Sequence, residues 1–195
     1  ESYNGRHGRM SLSYLRSLTI TIPLIVLATA AFGTVSLACS LVDSTGRAQH
    51  AVARAWSRVL LWVSGVKARV EGLENIRPES GYVFASNHLS YMDTPLVLAS
   101  IPSQFRFLAK QSLFKIPFLG HHLRRAGHVP VPREDARGSV RVMTEAARIL
   151  RERNVSILVF PEGGRTHGQL EEFKEGAAYI AIRAGVPVVP LAVCG

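Results

Sequence analysis

The sequence predicts an α/β fold: a mostly buried mixed sheet flanked by helices, set behind an apolar helical segment at the N-terminus. Three observations carry that prediction. A charge-free run extends from Ser17 to Val42; five short β-rich runs follow Gly72; and stretches of helical periodicity separate them. At 195 residues, with 47% hydrophobic and 19% charged, the chain is no disordered tail, and one domain of ordinary size accommodates it.

The elements follow in order. Residues 1–16 form a basic flank carrying Arg6, Arg9 and Arg16. The 26 residues from Ser17 to Val42 would extend about 39 Å as a helix, enough for a bilayer core of about 30 Å with some tilt. A signal peptide is the alternative, with Arg16 ahead of the run and Cys39 near its end, but the run is longer than a typical signal core. Pro23 and Gly33 allow a bend. From Arg47 to Val63, a helical wheel puts Arg47, Arg54 and Arg58 on one stripe and Val52, Trp56, Val59, Leu60 and Val63 roughly opposite. With Trp62 nearby, this reads as an interfacial helix on anionic lipid; the same pattern suits a soluble helix packed on its own domain. Residues 17–69 are therefore expected to form a two-helix anchor in the cell membrane that keeps the following domain on the cytoplasmic face. Positive charge on both flanks leaves the positive-inside rule without a vote.

Residues 70–195 are the second unit. Strands are predicted at Tyr82–Ala85, Phe105–Leu108, His128–Val131, Val155–Phe160 and Val186–Val193, and helices at Pro95–Ser100, Pro117–Arg125, Asp135–Arg153 and Gly176–Ala184. The third helix is the clearest, with Val140, Met143, Ala147 and Leu150 at spacings of three and four. Glu1 at the start, and a stop as the last strand finishes, read as the ends of a fragment whose domain is C-terminally incomplete. Two cysteines exclude a disulfide framework and a zinc ribbon; Cys39 and Cys194 read as small apolar residues in a reduced compartment.

A formal charge of +9 calls for an anionic partner. Nucleic acid is disfavoured, because the basic residues are scattered and no recognition motif is present. His121, His122 and His128 have no carboxylate or cysteine at ligand spacing, so no metal site is expected and surface or lipid-facing roles are favoured.

Two constellations follow predicted strands, where ligands sit in α/β sheets. In Asn87-His88-Leu89-Ser90-Tyr91-Met92-Asp93, a strand-to-helix turn can bring His88 to Asp93. A carboxylate fixes an imidazole's tautomer and stabilises its cation, which suits a general base near neutral pH. Taken alone, the same residues fit a helix cap beside a loop histidine. In Phe160-Pro161-Glu162-Gly163-Gly164-Arg165-Thr166, two glycines let backbone approach an anion and Arg165 offers a fork suited to phosphate or carboxylate. Taken alone, this fits a strand-to-loop turn with a solvated ion pair. There is no Walker motif, no G-x-G-x-x-G and no nucleophile elbow, which disfavours a Ser-His-Asp hydrolase and leaves Ser90 as a turn residue.

Taken together, His-x4-Asp, the basic blocks Lys110–Pro117 and Gly127–Arg133, Phe160–Thr166 with Phe173-Lys174-Glu175-Gly176, and Val186–Pro190 resemble the membrane-associated glycerolipid acyltransferases, the 1-acyl-glycerol-3-phosphate type most closely. The likeness covers roughly Val70 to Gly195. It implies an acyltransferase of phospholipid biosynthesis, in which His88, oriented by Asp93, deprotonates the free hydroxyl of lysophosphatidate. That oxygen then attacks the thioester of acyl-CoA or acyl-carrier protein, giving phosphatidate. Glu162, Gly163, Arg165 and Thr166, with Lys110 and Arg133, would hold the glycerol-phosphate. Gly164 stands where many relatives carry a hydroxyl, and Pro132 where a polar residue is common. The implied partners are a lysophospholipid, the thioester co-substrate and an anionic membrane surface, with no other cofactor. Other lysophospholipids or lyso-aminolipids, or silent lipid binding on the same scaffold, are the competing readings.

Overall fold

The computed structural model describes residues 12–77, 79, 81–132, 136–166 and 171–194. The strands are β1 (Val83–Ser86), β2 (Phe105–Lys110), β3 (Val129–Val131), β4 (Ser156–Val159) and β5 (Val188–Leu191), in the order β3-β2-β4-β1-β5. The helices are α1 (Leu12–Arg16), α2 (Ile22–Val42), α3 (Arg47–Ser64), α4 (Asp93–Ser100), α5 (Leu119–Arg125), α6 (Ala136–Arg153) and α7 (Gly176–Ala184). The α/β class is as predicted, with one correction: the sheet is parallel at every pairing, not mixed. A helix separates each strand from the next, and such a crossover returns the chain to the same edge of the sheet.

Apolar residues on both sides of the strands cover two layers. Val83, Ile157 and Val159 point to a cluster with Ala146, Ala147 and Leu150 of α6 and Ile180 of α7. Their neighbours Phe84 and Leu158 point the other way, to Phe105, Phe107 and to Val97 and Leu98 of α4. This is why the strands read as near-continuous hydrophobic runs. On α6 the predicted stripe is displaced at its start: Val140 is exposed and Val142 packs instead, whereas Ala147 and Leu150 are buried. Cys194 is exposed beyond β5.

The charge-free run forms the bulk of a continuous helix, Leu12–Val42. A π-turn at Ser17–Thr21 links α1 to α2, with the N–H of Ile22 donating to the carbonyl of Ser17. The wider turn lies just ahead of Pro23, whose ring would crowd the carbonyl of Thr19 in a regular α-helix. Among the described residues this is the one helix long and apolar enough to cross a membrane.

Helix α3 departs from the interfacial reading. Its buried residues are Gln49, His50, Ser57, Leu60 and Leu61. Arg54, expected on one stripe with Arg47 and Arg58, turns inward and donates to the carbonyl of Pro102 at 3.0 Å. His50 stands edge-on to Phe105 with ring centroids 4.9 Å apart, and Trp56 donates to Thr29 of α2 at 3.1 Å. A helix with a protein layer on two sides needs polar groups that fit local partners, so its pattern blurs on a helical wheel.

The histidines are also relocated. His122 meets Ser36 of α2 at 2.6 Å, and His128 accepts the backbone N–H of Phe107 through Nδ1 at 2.9 Å. Both sit at the seam between the N-terminal helices and the sheet, and neither takes the surface or lipid-facing role expected from sequence. His121 is exposed.

Among the described glycines, Gly120 has the least room for a side chain. A Cβ there would lie 2.1 Å from the carbonyl oxygen of Phe114, a backbone atom that cannot move alone. Gly120→Ala is expected to destabilise the fold by about 3 kcal/mol, the upper range for overpacking. Denaturant unfolding measures it; a midpoint equal to the parent's would show that the segment relaxes freely.

Candidate active site

All strands point the same way, so the loops that follow them meet at one edge. At that carboxyl edge lie His88 after β1, Lys110 at the end of β2, Glu162 to Thr166 after β4 and Val193 after β5. The sheet order places β4 between β1 and β2. The glycine-arginine loop is therefore flanked by the histidine loop on one side and Lys110 on the other.

The turn from β1 to α4 is organised by one buried carboxylate. Asp93 is 3% exposed, and its Oδ2 lies 2.8 Å from His88 Nδ1. The same oxygen accepts the N–H groups of Leu89 at 2.7 Å and Ser90 at 2.8 Å. With Nδ1 on the carboxylate, Nε2 is the nitrogen directed away from it. The imidazole also stacks on Phe160, centroids 4.0 Å apart and planes 18° from parallel. Phe160 in turn stacks on Phe107 at 6.3 Å. The ring is thus held both by its edge and by its face. Asn87 anchors the start of the loop: its amide donates to the carbonyl of Val193 at 2.9 Å and accepts the N–H of Val193 at 2.7 Å.

The two constellations are joined through the backbone. Buried Glu162 accepts the N–H of His88 at 3.1 Å through Oε2. The N–H of buried Thr166 donates to the carbonyl of His88 at 2.8 Å. Glu162 and Thr166 were expected to hold substrate; here they pin one loop to the other, though Glu162 Oε1 is buried and finds no partner among the described residues. Gly163 adopts φ +77°, and a Cβ would sit 2.7 Å from Lys174 Nζ. Glycine is needed there for the left-handed backbone and for the ammonium lying over it.

Arg165 reaches back over the histidine loop. Its guanidinium carbon lies 3.4 Å from the centroid of Tyr91. Stacking holds the flat of the fork and leaves its N–H edge available to a phosphate or carboxylate. Lys110 lines a depression of about 250 Å³ together with Gln111, Ser112, Lys115 and Val131. His88, Asp93, Glu162, Gly163, Arg165 and Thr166 are thus brought together, and Lys110 stands at the same edge. Arg133 lies outside the described residues.

Sequence reading assigned no role to Phe160 as the floor of the histidine, to Tyr91 as the platform for Arg165, or to Lys174. In the sequence Phe160 reads as the end of a strand; its place beside His88 is a relation between neighbouring strands that linear spacing does not carry. Several backbone amides of the two loops are already occupied: Gly163 donates to the carbonyl of Phe160, and His88, Leu89 and Ser90 donate to carboxylates. Ser90 Oγ accepts the N–H of Met92 at 2.8 Å, as a turn residue does. No group of three His, Cys, Asp or Glu side chains suited to a metal occurs among the described residues.

Comparison with known proteins agrees with this geometry. The family model described as Acyltransferase matches residues 67–194. The chain is 34% identical over 148 residues to the chloroplastic 1-acyl-sn-glycerol-3-phosphate acyltransferase LPAT1 of Arabidopsis thaliana, covering 75% of this chain and 41% of that one. It is 34% identical over 139 residues to the 1-acyl-sn-glycerol-3-phosphate acyltransferase of Borreliella burgdorferi, covering 71% and 55%. Among solved structures, the 1-acyl-sn-glycerophosphate (LPA) acyltransferase PlsC from Thermotoga maritima superposes with a TM-score of 0.74 at 30% identity, covering 90% of this chain and 73% of that one. The chain spans about half the length of these two curated relatives. With the His-x4-Asp turn and the glycine-arginine loop assembled at one edge of a parallel sheet, and the family model matched across both, the chain belongs to the acyltransferase family.

Proposed function

We propose that this protein is a 1-acyl-glycerol-3-phosphate O-acyltransferase: it moves a fatty acyl group from a thioester, acyl-CoA or acyl-carrier protein, to the free hydroxyl of lysophosphatidate, giving phosphatidate for phospholipid synthesis at a membrane. The observation that carries this reading is a His88 ring oriented through Nδ1 by a buried Asp93, at the same sheet edge as the Arg165 fork and the Lys174 and Lys110 ammonium groups.

The chemistry follows from those positions. Arg165, Lys174 and Lys110 would hold the acceptor phosphate by charge-assisted hydrogen bonds. The acceptor hydroxyl would then approach Nε2 of His88, which takes its proton as the oxygen attacks the thioester carbonyl. Asp93 favours the imidazolium that forms. Collapse of the tetrahedral intermediate breaks the C–S bond, and the proton on Nε2 passes to the departing sulfur. The products are an ester and a thiol, with His88 returned to its starting state. A thioester already carries a good leaving group, so a positioned base supplies the main deficiency of the reaction. The apolar helix Leu12–Val42 supports a location at a membrane surface, where a lysolipid resides.

The test is a panel of lysolipid acceptors offered with labelled acyl-CoA and acyl-carrier protein, the protein being reconstituted in bilayers. Labelled phosphatidate from lysophosphatidate is expected. Transfer to none of the acceptors would overturn the reading and leave lipid binding without catalysis.

A further inference from the structure

One short turn at the carboxyl edge presents its apolar side chains to the outside. Between the 3₁₀ turn Gln111–Lys115 and α5, Ile116 is 46%, Phe118 77% and Leu119 40% exposed. Phe118 adopts φ +60° and ψ −57°, and the N–H of Leu119 donates to the carbonyl of Pro117 at 2.6 Å. That is a γ-turn of the rare, strained hand, centred on a bulky aromatic residue. Glycine would make the same turn without strain, so the turn keeps an exposed ring at a conformational cost. The N–H of Gly120 donates to Ile116 at 2.8 Å, and Gly120 presses on Phe114, which closes the turn beneath the ring.

Two contacts relate this tip to the apolar helix. Gly46, in the turn after α2, abuts the carbonyl of Ala126 just beyond α5. Ser36 bonds His122, one turn earlier on α5. Passing back along α2 therefore means passing back along α5 toward Phe118. Back along α2, Val35 is 50% and Leu27 66% exposed. Lys115 stands beside the tip and lines the basic depression with Lys110.

We propose that Ile116, Phe118 and Leu119 are a second membrane contact, inserted in the interfacial layer of an anionic phospholipid bilayer with Lys115 at the level of the phosphates. An aromatic and aliphatic tip continuous with an apolar helix, next to lysines in a chain of net charge +9, is complementary to such a surface. The contact would set the carboxyl edge, and His88 with it, at headgroup depth. It stands apart from the acyl-transfer reading, because its primary test reads depth and not turnover.

The test places tryptophan at the tip, Phe118→Trp, in a full chain whose Trp56 and Trp62 are changed to Phe. Reconstitution is in phosphatidylcholine–phosphatidylglycerol vesicles, with and without bromine on the acyl chains. Emission should shift to the blue and be quenched by the brominated lipid. Unquenched emission from protein that sediments with the vesicles would overturn the proposal. So would a blue shift that follows protein concentration in detergent, which would seat a second copy of the chain on the tip. Phe118→Gly provides the second arm: it relieves the strained turn, and turnover on bilayer-embedded acceptor should fall about tenfold, the partitioning lost with a partly buried ring. Turnover on a water-soluble short-chain acceptor should hold; equal loss on both would overturn the membrane role. Absence of turnover in the parent chain would count against acyl transfer and leave the quenching result to decide this proposal.

Discussion

Replacing His88 with alanine is expected to lower acyl transfer by about 10² to 10⁴-fold, the usual worth of a positioned general base. The fold should remain, because the loop is held by groups the substitution keeps. Asp93 would still accept the N–H groups of Leu89 and Ser90, and Glu162 and Thr166 would still hold the backbone of residue 88. Asp93→Ala should differ in kind. It removes the acceptor of three hydrogen bonds in a buried turn and leaves at least two backbone N–H groups without their partner, at about 1–3 kcal/mol each. Activity and denaturant midpoint should therefore fall together for Asp93→Ala, whereas His88→Ala should lose activity alone. Ser90→Ala should retain turnover, since its hydroxyl serves the turn. A His88→Ala protein with parent-like turnover, or thiol released in a burst without acceptor, would refute direct transfer through this ring.

The second large effect is expected on stability in mild acid. At the seam between the N-terminal helices and the sheet, His50 and His128 lie near the fully buried guanidinium of Arg106, which donates to the carbonyls of Phe105 and Thr45, and the ring of His122 lies 6.1 Å from that of His128. Burial, then the charges of Arg106 and Arg54, brings the pKa of His50 down to about 3. Burial, then Arg106, His122 and His50, holds His128 well below its ordinary value, and burial lowers His122. Burial, then Arg153 and Arg47, also lowers Arg106 itself, to about 10, against the favourable charge of Asp43. Above pH 6.5 these histidines are neutral in both states and cost nothing. Below it the unfolded chain binds protons that the folded chain refuses, so stability falls as pH drops through 6.5 toward the folded values. Each ring held neutral should contribute about 1.4 kcal/mol per pH unit to that slope. Asp43 acts in a lower window: backbone N–H donation from Ala48, then the Thr45 hydroxyl, brings its carboxyl to about 2, so its effect is confined to pH below about 4. Unfolding followed between pH 7 and pH 4.5 should show a steep acid limb, and His50→Leu should flatten it by one such increment. A flat limb in the parent would mean that the rings are charged in the folded protein.

The misplacement of these histidines shows how far a linear pattern reaches. His122 and His128 have no sequence neighbour that explains them. Their partners are Ser36, 86 positions away, and the N–H of Phe107 on the adjacent strand. Arg54 leaves its predicted basic stripe for a similar reason: its partner is the carbonyl of Pro102, 48 positions away. By contrast, the predicted strands match the observed ones to within two residues at every end. The central strands β1 and β4 are buried on both faces, and an apolar β-rich run between turn residues signals that burial directly.

What the amino-acid order determined unaided was local and periodic: which segments are strand or helix, that one N-terminal run is long and apolar enough for a membrane, and that a histidine and an aspartate can meet across one turn. Chain direction in the sheet, the meeting of two loops 74 positions apart at Glu162 and His88, and the stack of His88 on Phe160 were decided by the tertiary structure. The physical reason is range. Backbone propensity and hydrophobic spacing act over a few residues, whereas the candidate site exists once parallel strands, ordered β3-β2-β4-β1-β5, bring their carboxyl ends to one side.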